Sequence, residues 1–293
     1  MSVLIVADRE GEEQVALARG LALAKALGAD AEVVGFCYES LASLDLVHRH
    51  EAKRQLLAKR RESLAAQIEE YKPAGLDVEL IVAWDKLVHL WVDSHAHRTG
   101  SDVVVRTAHR SETFLYTPTD WHLLRECEAP VLIAAEHIWH PTRSIVAAVD
   151  LASHSHVKQD LNDTIIATAK RYAEALDNPL HLVYAIHVST VLKDLHLMDV
   201  DAHVEKVRGQ IGPLLADLAS THGLPEDRIH VEHGEVAEVI AAVAERLEAQ
   251  LVVMGTVGRH GLNAKLIGNT AERVLTRLGT DVLALKPGIA GRA

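Results

Sequence analysis

The feature that most constrains this 293-residue chain is that its pattern occurs twice. Val3-Leu4-Ile5-Val6-Ala7-Asp8 returns as Ile145-Val146-Ala147-Ala148-Val149-Asp150, a short apolar run closing on Asp both times. A helical stripe follows each run: Leu17, Leu21, Ala24 and Gly28 in the first half, Ile166, Ala169, Ala173 and Leu176 in the second. The pattern predicts second strands at 31–36 and 180–186 and long helices at 47–72 and 200–222. Third strands at 77–82 and 228–232, each leading into a helix, fourth strands at 102–105 and 251–254 and fifth strands at 129–133 and 280–285 complete each set. The offset drifts from 142 (3 to 145) to 151 (129 to 280), so the halves differ in loop length while the order of elements holds. Alternating short apolar strands and helices imply parallel strands, because a crossover helix has to carry the chain back to the start of the next strand. The expected fold class is α/β: two tandem Rossmann-like domains, residues 1–137 and 144–287, each a five-stranded parallel sheet flanked by helices. Residues 136–143 read as the connection.

Composition supports this and excludes other classes. Hydrophobic residues make up 48% and aromatics only 4%, a mix of Ala, Val, Leu and Ile that suits strands buried on both faces. A net charge of −11 disfavours a nucleic-acid surface, which needs basic patches. No apolar run approaches the roughly 20 residues of a membrane span. The opening residues read directly as a strand rather than as a targeting segment, so a cytoplasmic location without a membrane partner is expected. Cys37 and Cys127 read as core thiols rather than as a disulfide framework.

After the fourth strand of the second half comes Met254-Gly255-Thr256-Val257-Gly258-Arg259-His260-Gly261, and later Gly268-Asn269-Thr270. The pattern is Gly-x2-Gly-x9-Gly, and a helix is expected from about 269 to 278. Ligands of parallel α/β sheets bind outside the carboxyl ends of the strands. Glycines there let backbone N–H groups approach phosphate oxygens, and a helix start adds its free N–H groups and positive dipole end. Asp150 reaches the same edge, able to accept a hydrogen bond from a ribose or a base. Arg259, His260 and Lys265 add charge that can neutralise phosphate.

These residues resemble the ATP-binding pattern of the universal stress protein family, and the chain looks like a tandem member. Gly255-x2-Gly258-x9-Gly268 is similar to that family's loop, which usually continues with Ser or Thr; here Asn269-Thr270 follows. Thr117-Pro118-Thr119-Asp120-Trp121-His122-Leu123-Leu124-Arg125 resembles the tandem type in the first half, as does Gly255-Thr256-Val257-Gly258-Arg259 in the second. The resemblance implies a bacterial protein with two adenine nucleotide alpha hydrolase-like domains and a role in stress tolerance. It implies that Asp150, Met254, Gly255, Gly258, Gly268, Asn269 and Thr270 hold ATP or ADP. The Met-Gly backbone would lie near the adenine and the later residues near the phosphates.

The first half has lost the loop. Strand-on-strand alignment sets Arg106 against Gly255, His109 against Gly258 and Thr117 against Gly268. Thr117 as N-cap, Pro118 at the first helical position and Asp120 three residues after the cap let that helix satisfy its own N–H groups. Asp120 would put a carboxylate where phosphate would lie, or pair with Arg106. One nucleotide per chain is therefore expected, in the second half.

Other chemistry is not specified. His48/His50, His95/His97 and His154/His156 have a one-residue gap, which splays two ligands on a helix, and no Cys or carboxylate spacing completes a metal site. No metal is expected beyond Mg2+ accompanying a nucleotide. There is no Gly-x4-Gly-Lys-Ser/Thr, no Gly-x-Gly-x-x-Gly after a first strand and no Gly-x-Ser-x-Gly. The expectation is a nucleotide-binding sensor or interaction module without significant catalysis, its partner a second copy or another protein. The alternative is a scaffold carrying a non-nucleotide ligand in the C-terminal cleft or at the domain interface.

Overall fold

The computed structural model describes residues 1–108, 118–135, 139–140, 142–152, 156–256 and 268–288. The chain divides into two units, Met1–Glu136 and His137–Ala293. Unit 1 runs β1 (Ser2–Val6), α1 (Val15–Leu27), β2 (Asp30–Cys37), α2 (Leu46–Tyr71), β3 (Val78–Trp84), α3 (Val88–Thr99), β4 (Val103–Thr107), α4 (Pro118–Glu126) and β5 (Val131–Ala134). Unit 2 runs β6 (Ser144–Ala148), α5 (His156–Leu176), β7 (Leu180–His187), α6 (Thr190–Asp194), α7 (Val200–His222), β8 (Ile229–Gly234), α8 (Val236–Arg246), β9 (Ala249–Gly255), α9 (Asn269–Arg277) and β10 (Asp281–Leu285). A single 3-10 turn, Glu226–Arg228, precedes β8.

All strand pairs within each unit are parallel. Unit 1 is ordered β3-β2-β1-β4-β5 and unit 2 β8-β7-β6-β9-β10. The order reverses direction at β1/β4 and again at β6/β9, which makes the carboxyl ends of those strands the switch points where α/β sheets bind ligands. The strands that read as unbroken apolar runs are the buried ones: Val3 to Val6, Val103 to Val105, Ile145 to Ala147 and Leu251 to Val253 are inaccessible or nearly so. Each such Val, Leu or Ile removed from water contributes about 1.5–3 kcal/mol.

The helix ends are written into the sequence. Asp45 and Asp199 cap α2 and α7 by accepting the backbone N–H of His48 and Ala202. α1 stops at Gly28, whose φ of 60° lets its N–H turn back to the carbonyls of Ala24 and Lys25. α9 differs: its N-cap, Gly268, offers no side chain to its first N–H groups.

The strand registers correct one alignment made from sequence. Val6 pairs with Arg106 in unit 1 and Ala148 with Met254 in unit 2. Arg106 therefore corresponds to Met254, and Thr107, not Arg106, stands where unit 2 has Gly255. The fifth strands keep their offset of 151, and so do the helices before them: α4 spans 118–126 and α9 spans 269–277. Thr117 and His109 lie outside the described residues.

Neither cysteine is in a disulfide. Among the described residues no helix is long and apolar enough to cross a membrane. His95 and His97 part as their spacing requires: His95 is buried on Glu32 at 2.7 Å, while His97 is exposed and meets Glu128 at 2.6 Å. Of the third pair, His156 opens α5 and His154 lies outside the described residues.

Candidate functional site

At the carboxyl end of β6 the backbone of Asp150 is clamped by one side chain. Asn162, buried on α5, accepts the Asp150 N–H at 3.0 Å and donates to the Asp150 carbonyl at 3.0 Å. This fixes where the Asp150 carboxylate points. One of its oxygens accepts from the N–H of Ala152 at 3.1 Å and the other from Lys158 Nζ at 2.7 Å. The Lys158 side chain is only 13% exposed, while that of Asp150 keeps 44%. The site thus presents an ion pair whose anionic end stays open to solvent.

The neighbouring strand supplies the second wall. Gly255 ends β9 with α5 packed against it: a Cβ there would stand 2.7 Å from Leu161 Cδ2, so glycine is needed for helix-on-strand packing as well as for access. Just beyond, Thr256 donates through N–H and hydroxyl to the Leu285 carbonyl, at 3.0 and 3.2 Å. Its own carbonyl accepts the Gly268 N–H at 2.8 Å. The glycine-rich segment therefore leaves and re-enters at one hydrogen-bonded neck, which delivers the start of α9 to the switch point. Gly258 and Arg259 fall within that segment and outside the described residues.

These pieces surround a cavity of about 600 Å³, inside the range of small-molecule sites. Of the residues expected from sequence, Asp150, Met254, Gly255, Gly268 and Thr270 line it together. Asn269 is the first residue of α9. Sequence reasoning missed Lys158 and Asn162. Both lie in the first two turns of α5 and, four residues apart, share the helix face turned to the end of β6. It also missed the opposite wall, where α7 contributes His203, Val207, Gln210, Ile211 and Leu214, with Tyr184 and Ile186 from β7.

Unit 1 keeps the backbone bond of the neck, Ala108 N–H to the Ala134 carbonyl at 2.8 Å, but differs at the ends of its first and fourth strands. Asp8, the counterpart of Asp150, is buried. Its Oδ2 accepts from Thr107 Oγ1 at 2.7 Å and from the Ala16 N–H at 3.3 Å. Thr107 stands where unit 2 has Gly255, so its hydroxyl supplies Asp8 with a donor that unit 2 lacks at that position. Arg60 of α2, also buried, donates to the Asp8 carbonyl at 2.5 Å, the group that Asn162 holds in unit 2. Burial lowers the Arg60 pKa from its ordinary value, and the acids Glu10, Asp8 and Glu12 oppose that shift. Arg106 Nε donates to Asp120 Oδ1 at 2.6 Å, with Asp120 wholly inaccessible. Asp120 thus turns inward to Arg106 rather than presenting its carboxylate where a phosphate would lie. Their counterparts in unit 2 are Met254 and Ala271, an uncharged pair that lines the cavity.

Fold and site together define a tandem α/β protein with a cavity at the switch point of its second unit and, at the matching strand ends of its first, buried polar contacts among Asp8, Arg60, Thr107, Arg106 and Asp120. The sequence profile of the universal stress protein family matches residues 141–286. Universal stress protein E of Escherichia coli K12 is 32% identical over 296 residues, covering 98% of this chain and 94% of that protein. The universal stress protein E homolog of Haemophilus influenzae is 30% identical over 300 residues, covering 98% and 97%. The chain belongs to the universal stress protein family, and universal stress protein E is the member these relatives make it resemble. Among solved structures, a Pseudomonas aeruginosa PAO1 protein described as functionally unknown superposes with a TM-score of 0.74 at 27% identity, covering 98% of this chain and 92% of that one. A universal stress protein from Archaeoglobus fulgidus does so at 0.64 and 18%, covering 98% of each chain, a likeness of fold.

Proposed function

We propose that this chain is a cytoplasmic stress-response protein that binds one adenine nucleotide, ATP or ADP, in the cavity of unit 2. It would act as a sensor or interaction module without significant catalysis. The observation that carries the reading is the convergence on one cavity of a solvent-open carboxylate, Asp150, and a helix start, Gly268, with no side-chain cap. The carboxylate suits a hydroxyl or amino donor such as a ribose or a base. The free N–H groups at the helix start suit phosphate oxygens. Gly258, Arg259, Asn269 and Thr270 would complete the phosphate end, with Mg2+ entering only with the nucleotide, and Lys158 adds a positive charge to it. The bound state would be read by a second copy of the chain or by another protein.

A second reading has its own observation. Val207, Ile211 and Leu214 of α7 give the cavity an apolar wall, which suits a ligand with an apolar body. That protein would be a carrier scaffold rather than a nucleotide sensor. Mass spectrometry of the small molecule released when the purified protein is denatured separates the two. ATP or ADP at close to one per chain supports the first reading. A non-nucleotide ligand that cold ATP does not displace overturns it.

A further inference from the structure

In unit 1 helices α3 and α4 pack side by side, and their facing surfaces carry a group of side chains that the nucleotide site does not use. His89 stands in the first turn of α3. His122 and Glu126 stand four residues apart on α4, and so on one face of it. The rings of His89 and His122 lie nearly parallel, 14° between planes and 4.2 Å between centroids. His122 Nδ1 meets Glu126 Oε1 at 3.1 Å. One nitrogen from each histidine and one carboxylate oxygen all lie within 4.8 Å of one another. The side chains of His122 and Glu126 are 42% and 35% exposed, so the group is open to ions in solution.

We propose that His89, His122 and Glu126 bind one divalent transition-metal ion of the zinc class. Two imidazole nitrogens and a carboxylate are the borderline donors that zinc, cobalt and nickel take, whereas magnesium and calcium take oxygen ligands. Metal–ligand bonds of about 2.0–2.2 Å in a tetrahedral site place ligand atoms about 3.3 Å apart. His122 and Glu126 already stand close to that spacing. The His89 nitrogen has at most about 1.5 Å to close, within reach of a ring rotation at a half-buried position. The ion takes the place of the direct contact between His122 Nδ1 and Glu126 Oε1. Asp93, one turn after His89, has Oδ1 accepting the Glu128 N–H at 3.1 Å and is not one of the three clustered ligands, so a water takes the fourth position in the proposed site. Three protein ligands and a water make an open site of the kind zinc adopts outside closed structural clusters.

The test uses the full chain, stripped with chelator and desalted. Titrating Co2+ should produce the visible absorption of tetrahedral cobalt, saturating at one ion per chain and displaced by Zn2+. His89→Ala and His122→Ala should each weaken Co2+ binding at least tenfold and abolish the band. Glu126→Gln, which keeps shape and size, should weaken binding with an unchanged circular dichroism spectrum. His97→Ala and His181→Ala should leave binding as it was. Absence of the cobalt band overturns the proposal. So does an affinity unchanged in His89→Ala and His122→Ala, or one lost in His181→Ala.

Discussion

The substitution Asp120→Ala tests what the buried Arg106–Asp120 pair contributes to unit 1. Asp120 is inaccessible and lies 2.6 Å from the guanidinium of Arg106, itself 13% exposed. Removing the carboxylate leaves a cation in a mostly dry place. Breaking one side of a buried ion pair costs about 3–5 kcal/mol. With a urea m-value near 2 kcal/mol/M, the midpoint should fall by about 1.5 M or more. Restoring the residues of unit 2 removes the problem rather than the partner. In Arg106→Met/Asp120→Ala both charges go, and such replacements are often neutral or stabilising. The double variant should return to within about 1 kcal/mol of the unsubstituted chain. Tryptophan fluorescence isolates the transition, since Trp84, Trp91 and Trp121 lie in unit 1 and only Trp139 in unit 2. A single variant that loses less than about 1 kcal/mol, or a double variant no more stable than the single, would refute the reasoning. Neither variant should gain a second nucleotide site, because Asp8 and Arg60 still fill the end of β1.

Further outcomes follow from the same geometry. Gly35→Ala should destabilise unit 1 by about 1–3 kcal/mol in urea denaturation, because its Cβ would meet Leu64 Cδ2 at 2.6 Å and Arg60 Nε at 3.1 Å. Lys158→Ala should weaken ATP binding about tenfold, the loss of one charge-assisted hydrogen bond, and adenosine much less; equal losses in competition titrations would show that Lys158 serves the nucleoside end. His181 and His230 face each other across β7 and β8 at 3.0 Å. Burial lowers both pKa values, reinforced by His230 and Arg228 at His181 and by Arg246 at His230, with Asp227 and Glu232 opposing. The folded pKa values lie below the unfolded ones, so the stability linked to the neutral pair is full above about pH 6.5 and is lost as pH falls through the folded values. The melting temperature should drop between pH 7.5 and 5.5, and less steeply in His230→Gln; an unchanged slope in that variant would count against the pair.

How much of this was legible in the sequence depends on the range of the interaction. The repeat of apolar run, Asp and helix showed the strand and helix order of both units, because parallel crossovers leave few other arrangements. The start of α9 was legible too, since Gly268 is defined by what it lacks. Arg106 was misaligned: setting the expected ends of the fourth strands, 105 and 254, together slides the register by one, and only pairing with β1 and β6 fixes it. The α7 wall of the cavity was not legible, because a long amphipathic helix carries no mark of which side faces a ligand. Lys158 and Asn162 carry no motif; their role comes from the turn of α5 over the end of β6. His89 and His122 stand 33 positions apart, and no local spacing joins them. The short helix α6 was missed because five residues carry no period.

The central claim is that nucleotide binds once per chain, at the uncapped helix start of unit 2. Isothermal titration of the full chain with ATP, beside Gly268→Asp, tests it most directly. Gly268 already has N-cap geometry, φ −67° and ψ 143°, so an Asp there should cap α9 without cost to the fold, within a few tenths of a kcal/mol. It would also bring a carboxylate to the N–H groups that phosphate needs. The account predicts a stoichiometry of one for the unsubstituted chain and loss of ATP binding in Gly268→Asp at unchanged melting temperature. A stoichiometry of two, no binding by the unsubstituted chain, or undiminished binding by Gly268→Asp would contradict it.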